Sequence, residues 1–189
     1  MGGAIALFEQ TLADRLRVLG GDHPDTLVSR NNLAHAYWSA GDVGGAIPLF
    51  EQTLADCQRV LGGDHPATLV SRNNLAGTYE AAGDVGRAIP LFEQTLADRL
   101  RVLGGDHPDT LASRNNLAGT YESAGDVGRA IPLYEQTLDG CVRVLGQDHP
   151  TTKVVRENLA HVRAAGPLPP TARPTPTPPA ADPAPHTAP

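Results

Sequence analysis

Asp64-His65-Pro66-Ala67-Thr68-Leu69-Val70-Ser71-Arg72-Asn73-Asn74-Leu75-Ala76-Gly77-Thr78-Tyr79 is the stretch that decides the fold. Pro66 suits the first position of a helix, where its missing N–H costs nothing. Leu75, Ala76 and Tyr79 then share one apolar stripe at helical spacing. Ala82-Gly83-Asp84 predicts a stop, with Gly83 in the left-handed conformation and Asp84 capping a second helix, Val85 to Leu103. In that second helix Ala88, Phe92, Thr95, Leu96 and Leu103 recur near helical spacing. Pro90 lies in its first two turns and costs about one backbone hydrogen bond. Gly104-Gly105 closes it. No window alternates with period two over a useful length, which predicts no strands.

Outward from this unit the pattern repeats. Asp-His-Pro recurs at Asp22, Asp64, Asp106 and Asp148, a period of 42 residues. The aromatic before Glu-Gln-Thr-Leu keeps the same step, at Phe8, Phe50, Phe92 and Tyr134. Segments 46–87 and 88–129 differ at five positions, Cys57/Arg99, Gln58/Leu100, Ala67/Asp109, Val70/Ala112 and Ala81/Ser123, so chance is not their origin. Neither helix buries its stripe alone, whereas stacked helix pairs bury a continuous core. The expected fold is therefore all-α, an α-α superhelix, or solenoid, of tandem helix-turn-helix repeats.

The array is expected to span 1–166. It comprises a half repeat at 4–20, full repeats at 24–62, 66–104 and 108–146, and a capping helix at 151–165. Arg163 stands where the other first helices have Tyr37, Tyr79 and Tyr121, which suits an end with no further partner. Residues 167–189 hold ten of the seventeen prolines and predict a disordered or polyproline-II tail. At the other end Gly2-Gly3-Ala4-Ile5 aligns with Gly44-Gly45-Ala46-Ile47, so the sequence is expected to begin mid-repeat, as a fragment or inside a longer array. The half repeat keeps Ile5, Leu7, Phe8, Leu12 and Leu16, which predicts self-association through this end or fraying of its helix.

The spacing Leu33-Ala34-x2-Tyr37, then Gly41, Ala46 and Phe50, resembles the tetratricopeptide repeat. The longer period, with Asn73-Asn74-Leu75-Ala76, Ala88-Ile89-Pro90-Leu91 and Val102 to Pro108, is similar to the kinesin light chain type of that repeat, in its bacterial form. The resemblance implies a scaffold that binds protein or peptide ligands in a concave groove lined by the first helices. It also implies an alternative, in which the chain is the C-terminal sensor or autoinhibitory part of a larger signalling ATPase. In the family a large apolar residue usually stands three before the core Leu. Here that place holds Arg30, Arg72, Arg114 or Arg156, which predicts a less tightly packed layer.

Composition narrows the function. The chain has 189 residues, a formal net charge of −6 and 19% charged residues, which argues against a nucleic-acid partner. No apolar run reaches the ~18 residues that a bilayer requires, so no membrane role is expected. Met1-Gly2-Gly3-Ala4 lacks a basic start and an apolar run, so a cytoplasmic location is expected.

Chemistry-bearing sets are mostly accounted for by structure. His23, His65, His107 and His149 sit one repeat apart, too far to converge on one ion, and are expected to cap or pack helix starts. Cys57 and Cys141 lie two repeats apart, beyond the ~7 Å that a disulfide allows. The Gly-Gly pairs lack the Lys and Ser/Thr of a phosphate loop. No catalytic set, cofactor or metal is expected.

What remains is a surface. Val28, Asn31, His35 and Trp38 lie on a face away from the core stripe, with counterparts Val70, Asn73, Gly77, Glu80 and Ala112, Asn115, Gly119, Glu122. Asn offers both a donor and an acceptor, which suits holding an extended peptide backbone. By resemblance, Asn31, Asn73 and Asn115 hold ligand, with Asn32, Asn74 and Asn116 beside them. The other reading is that one Asn of each pair bonds the neighbouring repeat.

Overall fold

The computed structural model describes residues 2–166, and the Pro-rich segment 167–189 lies outside the described residues. Eight helices follow one another: α1 (Gly2–Leu19), α2 (Pro24–Ser39), α3 (Val43–Leu61), α4 (Pro66–Ala81), α5 (Val85–Leu103), α6 (Pro108–Ser123), α7 (Val127–Leu145) and α8 (Pro150–Ala165). Among the described residues there is no strand. No helix among them is long and apolar enough to cross a membrane.

Local chemistry sets the boundaries. Each of α2, α4, α6 and α8 opens on Pro, after a His whose Nδ1 accepts the N–H two residues on, as from Ala67 at 3.2 Å. The Asp-His-Pro histidines are thus helix caps, and the ring nitrogen facing the chain is already engaged. Helices α3, α5 and α7 are capped by Asp42, Asp84 and Asp126. Gly83, at φ +78°, reverses the chain between α4 and α5, where a side chain would be strained.

Each helix packs on the next, so the core runs continuously along the stack. Ala34, Ala46, Ala76, Ala88, Ala118 and Ala130 are fully buried, and their small size lets first and second helices approach closely. Phe50, Phe92 and Tyr134 fill the space between repeats. At the N-terminal end the pattern thins: Phe8 is half-buried and Leu7 is 69% exposed.

The expected loose layer is not found around Arg30 and Arg72. Arg30 and Arg114 are buried, and Arg72 is 1% exposed. Arg30 and Arg72 donate to Asp56 and Asp98, at 2.5 and 2.7 Å. A carboxylate on the second helix meets the Arg30 and Arg72 guanidiniums and offsets part of their desolvation cost, whereas Arg114 has no such partner among the described residues. Arg156 alone is exposed.

Other contacts recur with the repeat. Tyr37 donates to Glu9 at 2.6 Å, and Tyr79 and Tyr121 do the same to Glu51 and Glu93. Arg163 takes the same place and binds Glu135 at 2.5 Å, so it keeps the tie between repeats while changing the group that makes it. Arg59, Arg101 and Arg143 pair with Asp22, Asp64 and Asp106 of the Asp-His-Pro loops.

Candidate ligand-binding face

Successive first helices touch one another, α4 with α6 and α6 with α8, whereas second helices make no comparable contact among themselves. The stack therefore curves toward its first helices, and their outer face is the concave one.

The contacts between first helices run through asparagines. Asn74 Nδ2 donates to Asn31 Oδ1 at 3.2 Å, Asn116 to Asn73 at 3.4 Å, and Asn158 to Asn115 at 3.4 Å. Each contact uses one half of each amide. The first Asn spends its carbonyl and keeps its NH2, while the second spends its NH2 and keeps its carbonyl. Asn31, Asn73, Asn74, Asn115 and Asn116 are all half-buried. The reading in which one Asn of each pair bonds the neighbouring repeat is thus the one these contacts show, and each bond leaves the other half of each amide unused by it. Asn32 is exposed, since the helix before α2 is of the second kind and offers it no partner Asn.

The remaining residues of the stripe divide in two. His35 and Trp38 are exposed at one end, with ring centroids 5.5 Å apart, and Ser39 Oγ lies 3.2 Å from His35 Nδ1. Glu80 and Glu122 are half-buried at the centre. Burial pushes the Glu80 carboxyl above its ordinary value, against a hydrogen bond with Thr120. Glu122 accepts from the Tyr134 hydroxyl at 3.0 Å and lies 3.7 Å from His161 Nε2. Beside them Gly77 and Gly119 keep the helix surface low.

The sequence did not point to the two cavities of this face. One, of about 370 Å³, lies among α2, α3 and α4 and is lined by Leu27, Val28, Thr53, Cys57, Leu61 and Val70. The other, of about 410 Å³, lies among α6, α7 and α8 and is lined by Leu111, Ala112, Thr137, Cys141, Leu145 and Val154. Each residue of the first set has its counterpart two repeats on in the second. Asn31 and Asn115 stand at their edges.

Cysteine creates these cavities. At the equivalent place, Arg99 crosses to α6 and donates to Asp109 O and Ser113 Oγ, at 2.9 and 2.7 Å. Arg15 does the same to Asp25 O and Ser29 Oγ of α2. Cys57 is too short, and its Sγ stops 3.8 Å from Ser71 Oγ. Opposite Cys141 stands Val155 in place of that Ser, which leaves the second cavity without the hydroxyl. Burial pushes both thiols above their ordinary pKa, so they are uncharged wall groups. The alternation Arg15, Cys57, Arg99, Cys141 was the available sequence signal.

Comparison with known proteins agrees with this geometry. The tetratricopeptide repeat profile matches residues 2–55, 40–101 and 87–141. A Podospora anserina protein of kinesin light chain type, with nearly identical TPR-like repeats, is similar in crystal structure at 35% identity and a TM-score of 0.79, covering 87% of this chain and 77% of that one. A second structure of that protein gives 35% identity and a TM-score of 0.78, covering 87% of this chain and 78% of that one. BtubC (BKLC) from P. vanneervenii shares the fold at 20% identity and a TM-score of 0.67, covering 98% of this chain and 80% of that one. Among curated proteins none matches. The chain belongs to the tetratricopeptide repeat family, in the long-repeat form of the kinesin light chain type.

Proposed function

We propose that the array is a non-catalytic binding scaffold that holds a protein or peptide ligand along its concave face. The observation that carries this reading is the asparagine ladder. Each Asn–Asn bond uses one half of each amide, which supports a reading in which the remaining donors and acceptors serve an extended backbone. A face that is already rigid loses little entropy on binding, which favours affinity from few contacts. The sites are Asn31, Asn73 and Asn115 as donors, with Asn74 and Asn116 as acceptors, and His35, Trp38, Glu80 and Glu122 selecting side chains. A cytoplasmic location belongs to the same reading.

A pull-down with the array identifies the partner. Replacing Asn73 and Asn115 together by Ala should then weaken it by roughly 1–3 kcal/mol, if buried hydrogen bonds are lost. Unchanged affinity in a folded double variant would overturn the reading. The exposed apolar surface of α1 supports self-association as a secondary property, which sedimentation at several concentrations measures. A monomer at all concentrations would dismiss it.

A further inference from the structure

The two cysteine-walled cavities and the charge between them specify more than a generic groove. The cavities occupy the first and third full repeats, while Arg99 closes the matching place in the second. Two repeats along the first helices span roughly 20 Å, taking ~10 Å per packed neighbour. An extended chain rises about 3.3 Å per residue, so the two cavities are about six residues apart along it. That separation is even. Side chains six apart in an extended chain point to the same side, so one strand can fill both cavities.

Residues of the opposite parity point the other way along the first helices. There, beyond Gly77 and Gly119, stand Glu80 and Glu122. They lie on α4 and α6, midway between the cavities. Around the midpoint, on α2, α4 and α6, the accessible charge is one-sided, whereas α8 at the far end carries Lys153, Arg156 and His161. On α2, α4 and α6 the arginines Arg30, Arg72 and Arg114 are all buried, and the other acidic or basic side chains besides His35 are the carboxyl groups of Asp25, Glu80, Asp109 and Glu122.

Resting on the groove reading above, we propose that the preferred ligand is an extended peptide with two aliphatic side chains six residues apart and a basic residue midway. The aliphatic groups enter the Cys57 and Cys141 cavities. The basic residue, three from each and of opposite parity, meets Glu80 and Glu122. The ligand is not the segment 167–189, which holds a single large apolar side chain, Leu168, and cannot fill two cavities; in this proposal it is a peptide of a partner protein.

The test titrates the full chain with the blocked peptide Ser-Leu-Ser-Gln-Arg-Ser-Gln-Leu-Ser, by calorimetry or by amide shifts. Replacing either Leu by Ser should weaken binding about tenfold or more, from the apolar area lost. Moving one Leu by a single residue should do the same, and Arg→Glu should also weaken it. Cys57→Arg, which imitates Arg99 and has Ser71 in reach, should bind the parent peptide no better than the version lacking the first Leu. Should that variant not fold, Cys57→Leu fills the cavity without a charge and gives the same readout. The proposal is overturned if the parent binds no tighter than its double-Ser form, or if a folded Cys57→Arg protein keeps full affinity. It is overturned equally if removing residues 167–189 raises the affinity, since the tail then competes. Failure here separates from failure of the groove. A natural partner lost in Asn73→Ala/Asn115→Ala but indifferent to Cys57→Arg leaves the groove standing and removes the cavities.

Discussion

Repeats 66–104 and 108–146 are built alike, yet besides Phe92/Tyr134 the interior of their second helices differs at two adjacent places. The first carries Asp98-Arg99 and the second Gly140-Cys141. Asp98 pairs with buried Arg72, and Arg99 fills the space beneath α6. In repeat 108–146 Arg114 is also buried, but among the described residues it makes no ion pair. Burial pushes its pKa below the ordinary value, and Arg143 adds to this against the pull of Asp106. Leu111 has moved into the space that Gly140 leaves, 2.5 Å from where a Cβ would stand. Two residues thus decide whether the layer is filled and neutralised or open and cationic. Near-identical repeats need not be equivalent ones, and here the difference places an opening between first helices α6 and α8.

The largest expected effect breaks the better-paired repeat. Asp98→Asn should cost about 3–5 kcal/mol, because it strands the Arg72 guanidinium in the core. Denaturant unfolding measures this, and adding Arg72→Met should recover most of the loss. A cost near zero would show that the pair contributes nothing.

Next, Gly140→Asp should convert the third repeat toward the second and stabilise it by about 1–3 kcal/mol. It supplies a carboxylate to Arg114 and removes a glycine from a helix interior. Only the end of the Leu111 side chain must move, and the cavity beside it has room. A destabilised variant would show that Leu111 cannot yield.

Acid should separate the repeats as well. Burial pushes Asp56 up, but Gln52, Arg30 and Arg59 together hold its carboxyl below the ordinary value. A depressed folded pKa gives stability that is present above the unfolded value, ~4, and is lost as pH falls through the folded one. Amide exchange below about pH 4 should therefore open α2 and α3 before α6 and α7, whose equivalent carboxylate is absent. Uniform opening would contradict this.

The smallest effect is that of Arg99→Cys. Its two hydrogen bonds are offset by a buried Nε without a partner, so the loss should stay within about 1 kcal/mol while a third cavity opens. A loss several times larger would show that the arginine holds the middle repeat together.

Much of the fold was legible because its signals are local. Pro66 and Gly83 mark the ends of α4, and Leu75, Ala76 and Tyr79 mark its buried stripe, all within one helix. The Arg72–Asp98 pair was not legible, since 26 residues separate its members and nothing in helical spacing links them. The clue was the matched loss of Asp at Gly140 beside an unchanged Arg114. The asparagines were legible as candidates, but spacing alone could not show which Asn of each pair donates to the neighbouring repeat and which accepts. The cavities escaped notice because a short side chain signals space only once the helix it fails to reach is known.

The central claim is that ligand binds the concave face through the free halves of the asparagine amides. Side-chain NH2 resonances of Asn31, Asn73 and Asn115 in a 15N-labelled array test it most directly. On adding the partner recovered by pull-down, those three should shift together with amides of α2, α4 and α6. Shifts confined to α3, α5 and α7, with the three asparagine NH2 groups unmoved, would contradict the account.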